Sequence, residues 1–163
     1  MAELIIHPFE PIYDADSHVL ILGTMPSPMS RKVDFYYGHP QNRFWGIMAR
    51  LFDEPPFQSF EEKTAFLHRR HIALWDVLNS CEIRGAEDAS IRKAVPNDLS
   101  RILDTARINA VFTNGKTAGT YYQRYFKNIP IPWIGLPSTS PANCRNWTND
   151  TLFEAWKAVP AYL

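Results

Sequence analysis

The chain has 163 residues, 45% of them hydrophobic, and its seventeen basic side chains balance seventeen acidic ones. That length and apolar content predict one folded domain around a single core and exclude a disordered or low-complexity chain. Formal neutrality removes the broad basic surface usual in proteins that hold DNA non-specifically, leaving local backbone N–H groups and hydroxyls as the means of gripping a phosphate.

The N-terminal segment, from Ala2 through Leu4, Ile5 and Ile6 to Pro8, has no basic start and no long apolar run. No secretion signal or membrane anchor is expected from it, and a cytoplasmic location is predicted. Cys81 and Cys144 are the only cysteines, too few for a four-cysteine zinc or iron–sulfur site.

Val19 to Leu22 reads as a buried strand, and the Gly/Pro-rich run from Gly23 to Pro28 as a forced exit from it. Pro40 to Phe52 reads as a helix, with Pro40 in the first turn and Phe44, Ile47, Met48, Leu51 and Phe52 on one face. Ser59 and Glu62 have the spacing of a capping box for a helix ending near Arg70, just before a strand over Ile72 to Val77. Residues 79 to 97 read as the longest irregular stretch. Asp98 then caps a helix whose Leu99, Ile102, Leu103 and Ala106 share a face. A strand over Ala110 to Thr113 precedes a helix from Lys116, which buries Ala118, Tyr122 and one of Tyr125 or Phe126. A strand over Pro132 to Leu136 and a helix from about Thr148, burying Leu152, Ala155, Trp156 and Val159, complete the chain.

Apolar strands alternating with amphipathic helices predict an α/β fold, a three-layer arrangement around a mainly parallel four-stranded sheet. Ligands of such sheets bind beyond the carboxyl ends of the strands. That directs attention to residues 23–30, 76–85, 114–117 and 136–145.

Several residues there support two readings each. Asn114-Gly115-Lys116-Thr117 has the tail of a phosphate-binding loop and suggests a nucleotide phosphohydrolase or kinase, but the first glycine of that motif would fall on Ala110. Asp76, near a strand's carboxyl end, suits a base or a tie for the loop that follows. His39 suits a proton donor or a local turn residue, while Lys32 and Asp34 read as solvated loop charges.

Four segments together, Leu20 to Ser27, Tyr36 to Trp45, Leu74 to Leu78 and Leu136 to Asn143, resemble the uracil-DNA glycosylase superfamily and most closely its hypoxanthine-DNA (deoxyinosine) glycosylase branch. The resemblance implies a monofunctional enzyme that extrudes a deaminated base and hydrolyses its bond to deoxyribose, without metal or cofactor, acting as a monomer on DNA. Uracil and xanthine are further substrates in this reading. Thr24 and Met25 stand where relatives elsewhere in the superfamily carry Asn or Asp to place a water, so the resemblance moves catalysis to Asn42, whose amide oxygen would hold the water. Gly23, Thr24, Met25 and Pro26 would wall the base pocket, with Tyr36, Tyr37 and Phe44 as candidate stacking faces, although Phe44 also fits the core stripe. Asn114 would read the base edge or simply form an Asn-Gly turn. Ser27 and the run Ser138, Thr139, Ser140, Pro141, Ala142 and Asn143 would hold the DNA strand. Relatives that prefer uracil usually begin that last motif with His, and Leu136 in its place agrees with a purine. A non-catalytic module that recognises damaged bases is the other reading, motivated by Met25 and by the missing net charge.

Overall fold

The computed structural model describes residues 2–163. Its central sheet holds β2 (Val19–Gly23), β3 (Ile72–Asp76), β6 (Ala110–Asn114) and β7 (Trp133–Leu136), all parallel, in the order β3-β2-β6-β7. Every residue of β2, β3 and β6 is buried, as expected for strands covered on both faces. Val19, Leu20, Ile21 and Leu22 are wholly removed from solvent, each worth about 1.5–3 kcal/mol on burial.

The chain leaves β2 for β3 on one side and returns to β6 on the other. The crevice at this reversal is where an open α/β sheet accepts a ligand. Register places Gly23 beside Asp76, and Asn114 beside Leu136, at the carboxyl end.

Helices flank the sheet. These are α1 (Pro28–Val33), α2 (Phe44–Leu51), α3 (Phe60–Arg69), α4 (Ser100–Leu103), α5 (Lys116–Phe126) and α6 (Asn149–Trp156). α2 packs on α6, where Phe44 and Trp156, both fully buried, meet edge to face at 5.8 Å. Thr148 and Thr151 form a reciprocal capping box that starts α6.

Four local expectations need correction. The helix expected from Pro40 begins at Phe44. Before it, Asn42 N–H donates to the His39 carbonyl at 2.9 Å and Gln41 N–H to His39 Nδ1 at 3.0 Å, so local hydrogen bonds hold a turn where a helix was expected. The capping box at Ser59 is half formed: Ser59 accepts from Glu62 N–H at 3.1 Å, but the Glu62 carboxylate turns to Gln58 N–H. Asp98 accepts from the Ser100 backbone and hydroxyl in a turn ahead of a helix only four residues long, whose N-cap is Leu99.

The largest correction concerns residues 79 to 97, which are mostly not irregular. They carry most of β4 (Leu78–Ile83) and β5 (Arg92–Pro96), which with β1 (Glu3–Ile6) form a second, antiparallel sheet in the order β1-β4-β5. Register shifts between Leu78 and Ser80, and again between Ser80 and Glu82, break the twofold alternation by which a strand is recognised.

Candidate active site

A cleft of about 750 Å³ opens at the carboxyl end of the parallel sheet. All four segments singled out from the sequence contribute to its wall. Gly23, Thr24, Met25, Pro26 and Ser27 come from the exit of β2, and Tyr36, Tyr37, His39 and Asn42 from the turn before α2. Asp76 ends β3, Asn114 ends β6, and Ser138 to Asn143 close the far side.

Phe44 is the exception. It is fully buried, does not line the cleft, and stacks behind Tyr37 with ring centroids 4.1 Å apart. It sets the plane of the Tyr37 ring, so the expectation that Phe44 itself walls the base pocket is corrected. Tyr37 adopts φ +52°, a left-handed turn that places its ring there. Its hydroxyl is buried without a hydrogen-bond partner, and burial, with the Asp76 carboxylate nearby, holds it far above the ordinary tyrosine range. It is therefore a neutral O–H. Tyr36 is almost wholly buried, and its hydroxyl donates to the Glu10 carbonyl at 2.8 Å. That tie makes it a framework residue along the cleft wall.

Asn42, itself half-buried, heads a short network that runs inward to the buried Thr139 and Asn114. Its Oδ1 accepts from Phe44 N–H at 2.9 Å and from the Thr139 hydroxyl at 2.8 Å. Thr139 Oγ1 in turn accepts from Asn114 Nδ2 at 3.0 Å, and Thr139 N–H donates to Asn114 Oδ1 at 3.0 Å. An amide oxygen has two lone pairs, so the oxygen expected to hold a water is already engaged by two donors. The Phe44 N–H can only donate, which fixes the amide orientation: Nδ2, with its two hydrogens, is the group Asn42 has left. Asn114 is similarly committed to Thr139, and its side-chain amide also lies beside the Tyr37 hydroxyl.

The loop from Ser138 is stiffened by its own polar groups. Ser138 Oγ accepts from Ser140 N–H at 3.1 Å, Ser140 Oγ accepts from Ala142 N–H at 3.3 Å, and Asn143 Nδ2 donates to the Ser138 carbonyl at 3.0 Å. Each serine hydroxyl has used an acceptor site and retains its own hydrogen to donate, which suits a phosphate oxygen. Arg43 N–H reaches the Thr139 carbonyl at 3.1 Å, joining this loop to the turn that carries Asn42. Ser27 is differently employed: it caps α1 by accepting from Ser30 N–H at 3.2 Å and donates to Ser30 Oγ at 3.1 Å.

Gly23 is required by its neighbours. A Cβ there would collide with Asp76 Oδ1 and approach the Tyr37 hydroxyl to 2.9 Å. Gly115, at φ +98°, turns the chain between β6 and α5 with Ser138 close against it. The Gly115 N–H is taken by the Leu136 carbonyl at 2.9 Å and is not free for a phosphate.

Sequence reasoning missed His7, which bonds Asp76 through Nε2 at 2.7 Å across 69 residues. It also missed Trp147 as a cleft residue, whereas Lys116 and Thr117, within the 114–117 segment, do line the cleft. The lone apolar-flanked histidine on β1's trailing end carries no local signal, because the strand pairing that delivers it is non-local.

The uracil DNA glycosylase superfamily model matches residues 10–159, and the chain belongs to that superfamily. It is an enzyme of the DNA glycosylase class. Two curated relatives, each named hypoxanthine DNA glycosylase, are similar to it. One from Methanosarcina barkeri is 35% identical over 69% of this chain and 73% of its own length. One from Methanosarcina acetivorans is 31% identical over 93% of this chain and 95% of its own. The fold also matches a Methanosarcina acetivorans protein solved by NMR in solution as a candidate uracil DNA glycosylase, with a TM-score of 0.84, 29% identity and 97% of both chains covered.

Proposed function

We propose that this chain is a monofunctional glycosylase that takes hypoxanthine, with uracil and xanthine as lesser substrates, out of DNA and hydrolyses the N-glycosidic bond, leaving an abasic site. The observation that carries the reading is the fixed amide of Asn42 in the cleft at the sheet's switch point, where its oxygen is engaged and its Nδ2 is left to act. The names of the two curated relatives favour hypoxanthine as the substrate.

In this reading the extruded base stacks on Tyr37, held flat by Phe44. Asn42 Nδ2 donates to the base as negative charge develops on it, and the Asn114 amide meets its edge. Thr24, Met25 and Pro26 shape the wall, and the hydroxyls of Ser138 and Ser140 hold the strand beside Thr139, Pro141, Ala142 and Asn143. The chain works as one domain, as a monomer, in the cytoplasm. No helix among the described residues is long and apolar enough to cross a membrane.

The test uses duplex and single-stranded oligonucleotides carrying one hypoxanthine, uracil or xanthine, treated with the protein and then with alkali. Strand breaks that require alkali, fastest for hypoxanthine, are expected. Breaks without alkali would overturn the monofunctional assignment and point to an amine such as Lys116, which lines the cleft. Uracil cleaved and hypoxanthine untouched would overturn the substrate.

A further inference from the structure

We propose that Asp76 holds and deprotonates the attacking water, with His7 as its positioning residue; the inference rests on the glycosylase reading above. Asp76 ends β3 directly opposite Gly23 and is only 4% exposed. One carboxylate oxygen, Oδ2, is bound by His7 Nε2 at 2.7 Å, and the His7 side chain is itself 2% exposed. The other oxygen, Oδ1, has no hydrogen-bond partner among the described residues, and Asp76 lines the cleft.

A buried carboxylate held by a single donor is under-satisfied, because an ionised carboxylate has about four acceptor sites and loses its hydration on burial. A purely structural residue here would close the loop by accepting backbone N–H bonds. Asp76 accepts none: its backbone carbonyl takes Asn97 Nδ2 at 2.9 Å, while its side chain turns to His7 and the cleft. Asp88 is the other acidic residue on the wall; as a residue it is exposed, burial of its carboxyl raises it above the ordinary aspartate range, and the Thr117 side chain is its partner.

The complementary donor is the Tyr37 hydroxyl, buried without a partner and neutral. Gly23 lies against both groups, and any side chain there would occupy the space between them. A water bound at this point donates to Asp76 Oδ1 and accepts from Tyr37. Asn42 cannot perform that task, since both lone pairs of its oxygen are engaged.

The step balances as a hydrolysis. The water oxygen bonds to C1′ of the deoxyribose while the C1′–N9 bond breaks, and that bond's electron pair leaves with the base. One water proton passes to Asp76 Oδ1, and the departing base takes one proton from solvent. His7 stays hydrogen-bonded to Oδ2, fixing the direction in which Oδ1 points. His7 Nδ1 is in turn held by Phe9, 3.0 Å from its carbonyl oxygen and 3.2 Å from its N–H.

The experiment compares single-turnover cleavage of a deoxyinosine duplex with affinity for the same duplex carrying 2′-fluorinated deoxyinosine, which resists hydrolysis. Asp76→Asn keeps the shape and the acceptor for His7 but cannot take a proton. It should slow cleavage by about 10²–10⁴-fold with affinity essentially unchanged. His7→Ala should slow it by roughly 10- to 100-fold through misalignment, and His7→Gln, which keeps an N–H, should recover part of that loss. An Asp76→Asn enzyme as fast as the parent overturns this inference alone. A parent protein that cleaves no base overturns the glycosylase reading and this inference with it. If Asp76→Asn does not fold, His7→Ala decides: an unchanged rate, or a loss of affinity equal to the loss of rate, overturns the proposal.

Discussion

The Thr139 hydroxyl donates to Asn42 Oδ1 at 2.8 Å across 97 residues, while accepting from Asn114 at 3.0 Å. One buried hydroxyl thus joins the turn before α2, the end of β6 and the Ser/Pro loop. Thr139→Val keeps the shape and removes the hydroxyl, leaving Asn114 Nδ2 without its partner. We expect a loss of about 1–3 kcal/mol in urea unfolding, and near-parental stability for Thr139→Ser.

Asn42→Asp separates the two ends of the amide. The carboxylate accepts from Phe44 N–H and Thr139 as before, so the fold is kept, but it offers oxygen where Nδ2 stood. If the donor is the working group, single-turnover cleavage by Asn42→Asp should fall as far as by Asn42→Ala, about 10²–10³-fold. An Asp variant at parental rate would return the role to the amide oxygen.

Tyr37 carries a stacking face and an unpartnered hydroxyl. Tyr37→Phe should leave thermal stability unchanged or raise it, because a buried unsatisfied polar atom is removed. Tyr37→Ala should weaken binding to deoxyinosine DNA by about 1–3 kcal/mol. Fluorescence anisotropy on the uncleavable duplex measures the difference.

Glu54 gives a pH dependence of stability. The Arg70 and Arg69 guanidiniums, 2.8 and 2.9 Å from its oxygens, hold its carboxyl below the ordinary glutamate range of about 4.3. A carboxyl depressed in the folded state stabilises fully above its unfolded-state value and loses that contribution as pH falls through the folded-state value. The Tm gap between parent and Glu54→Gln should therefore be present at neutral pH and close in acid. Because the bridge meets solvent, the gap should be small and shrink with added salt.

Phe44 tests the framework beneath the site. Phe44→Ala removes a fully buried ring from between Tyr37 and Trp156 and should lower stability by about 3–5 kcal/mol. Phe44→Leu should lose less stability, while still loosening Tyr37 and weakening DNA binding.

The parallel strands were legible because burial on both faces requires continuous apolar runs, as at Val19 to Leu22 and Ile72 to Leu74. The segments at their carboxyl ends followed from the sheet rule, and the cleft does lie there. Sequence also identified Asn42, Tyr37 and the Ser138–Asn143 run as belonging together, through motifs whose order survives in the chain. The second sheet escaped because bulges in β4 disrupt its alternation. Phe44 was ambiguous because one aromatic at helical spacing suits a core or a stacking platform equally.

What the sequence determined by itself was the α/β class, the four parallel strands and the family, since these depend on local periodicity and short motifs. Only the tertiary structure decided which atom of Asn42 is available, that Phe44 backs Tyr37, and that His7 reaches Asp76. Those are choices among hydrogen-bond partners 97 and 69 residues apart and a stacked ring 7 residues away, made when the strands and loops meet. A lone pair is spent or spared by geometry, and no residue's own neighbours in the chain record which.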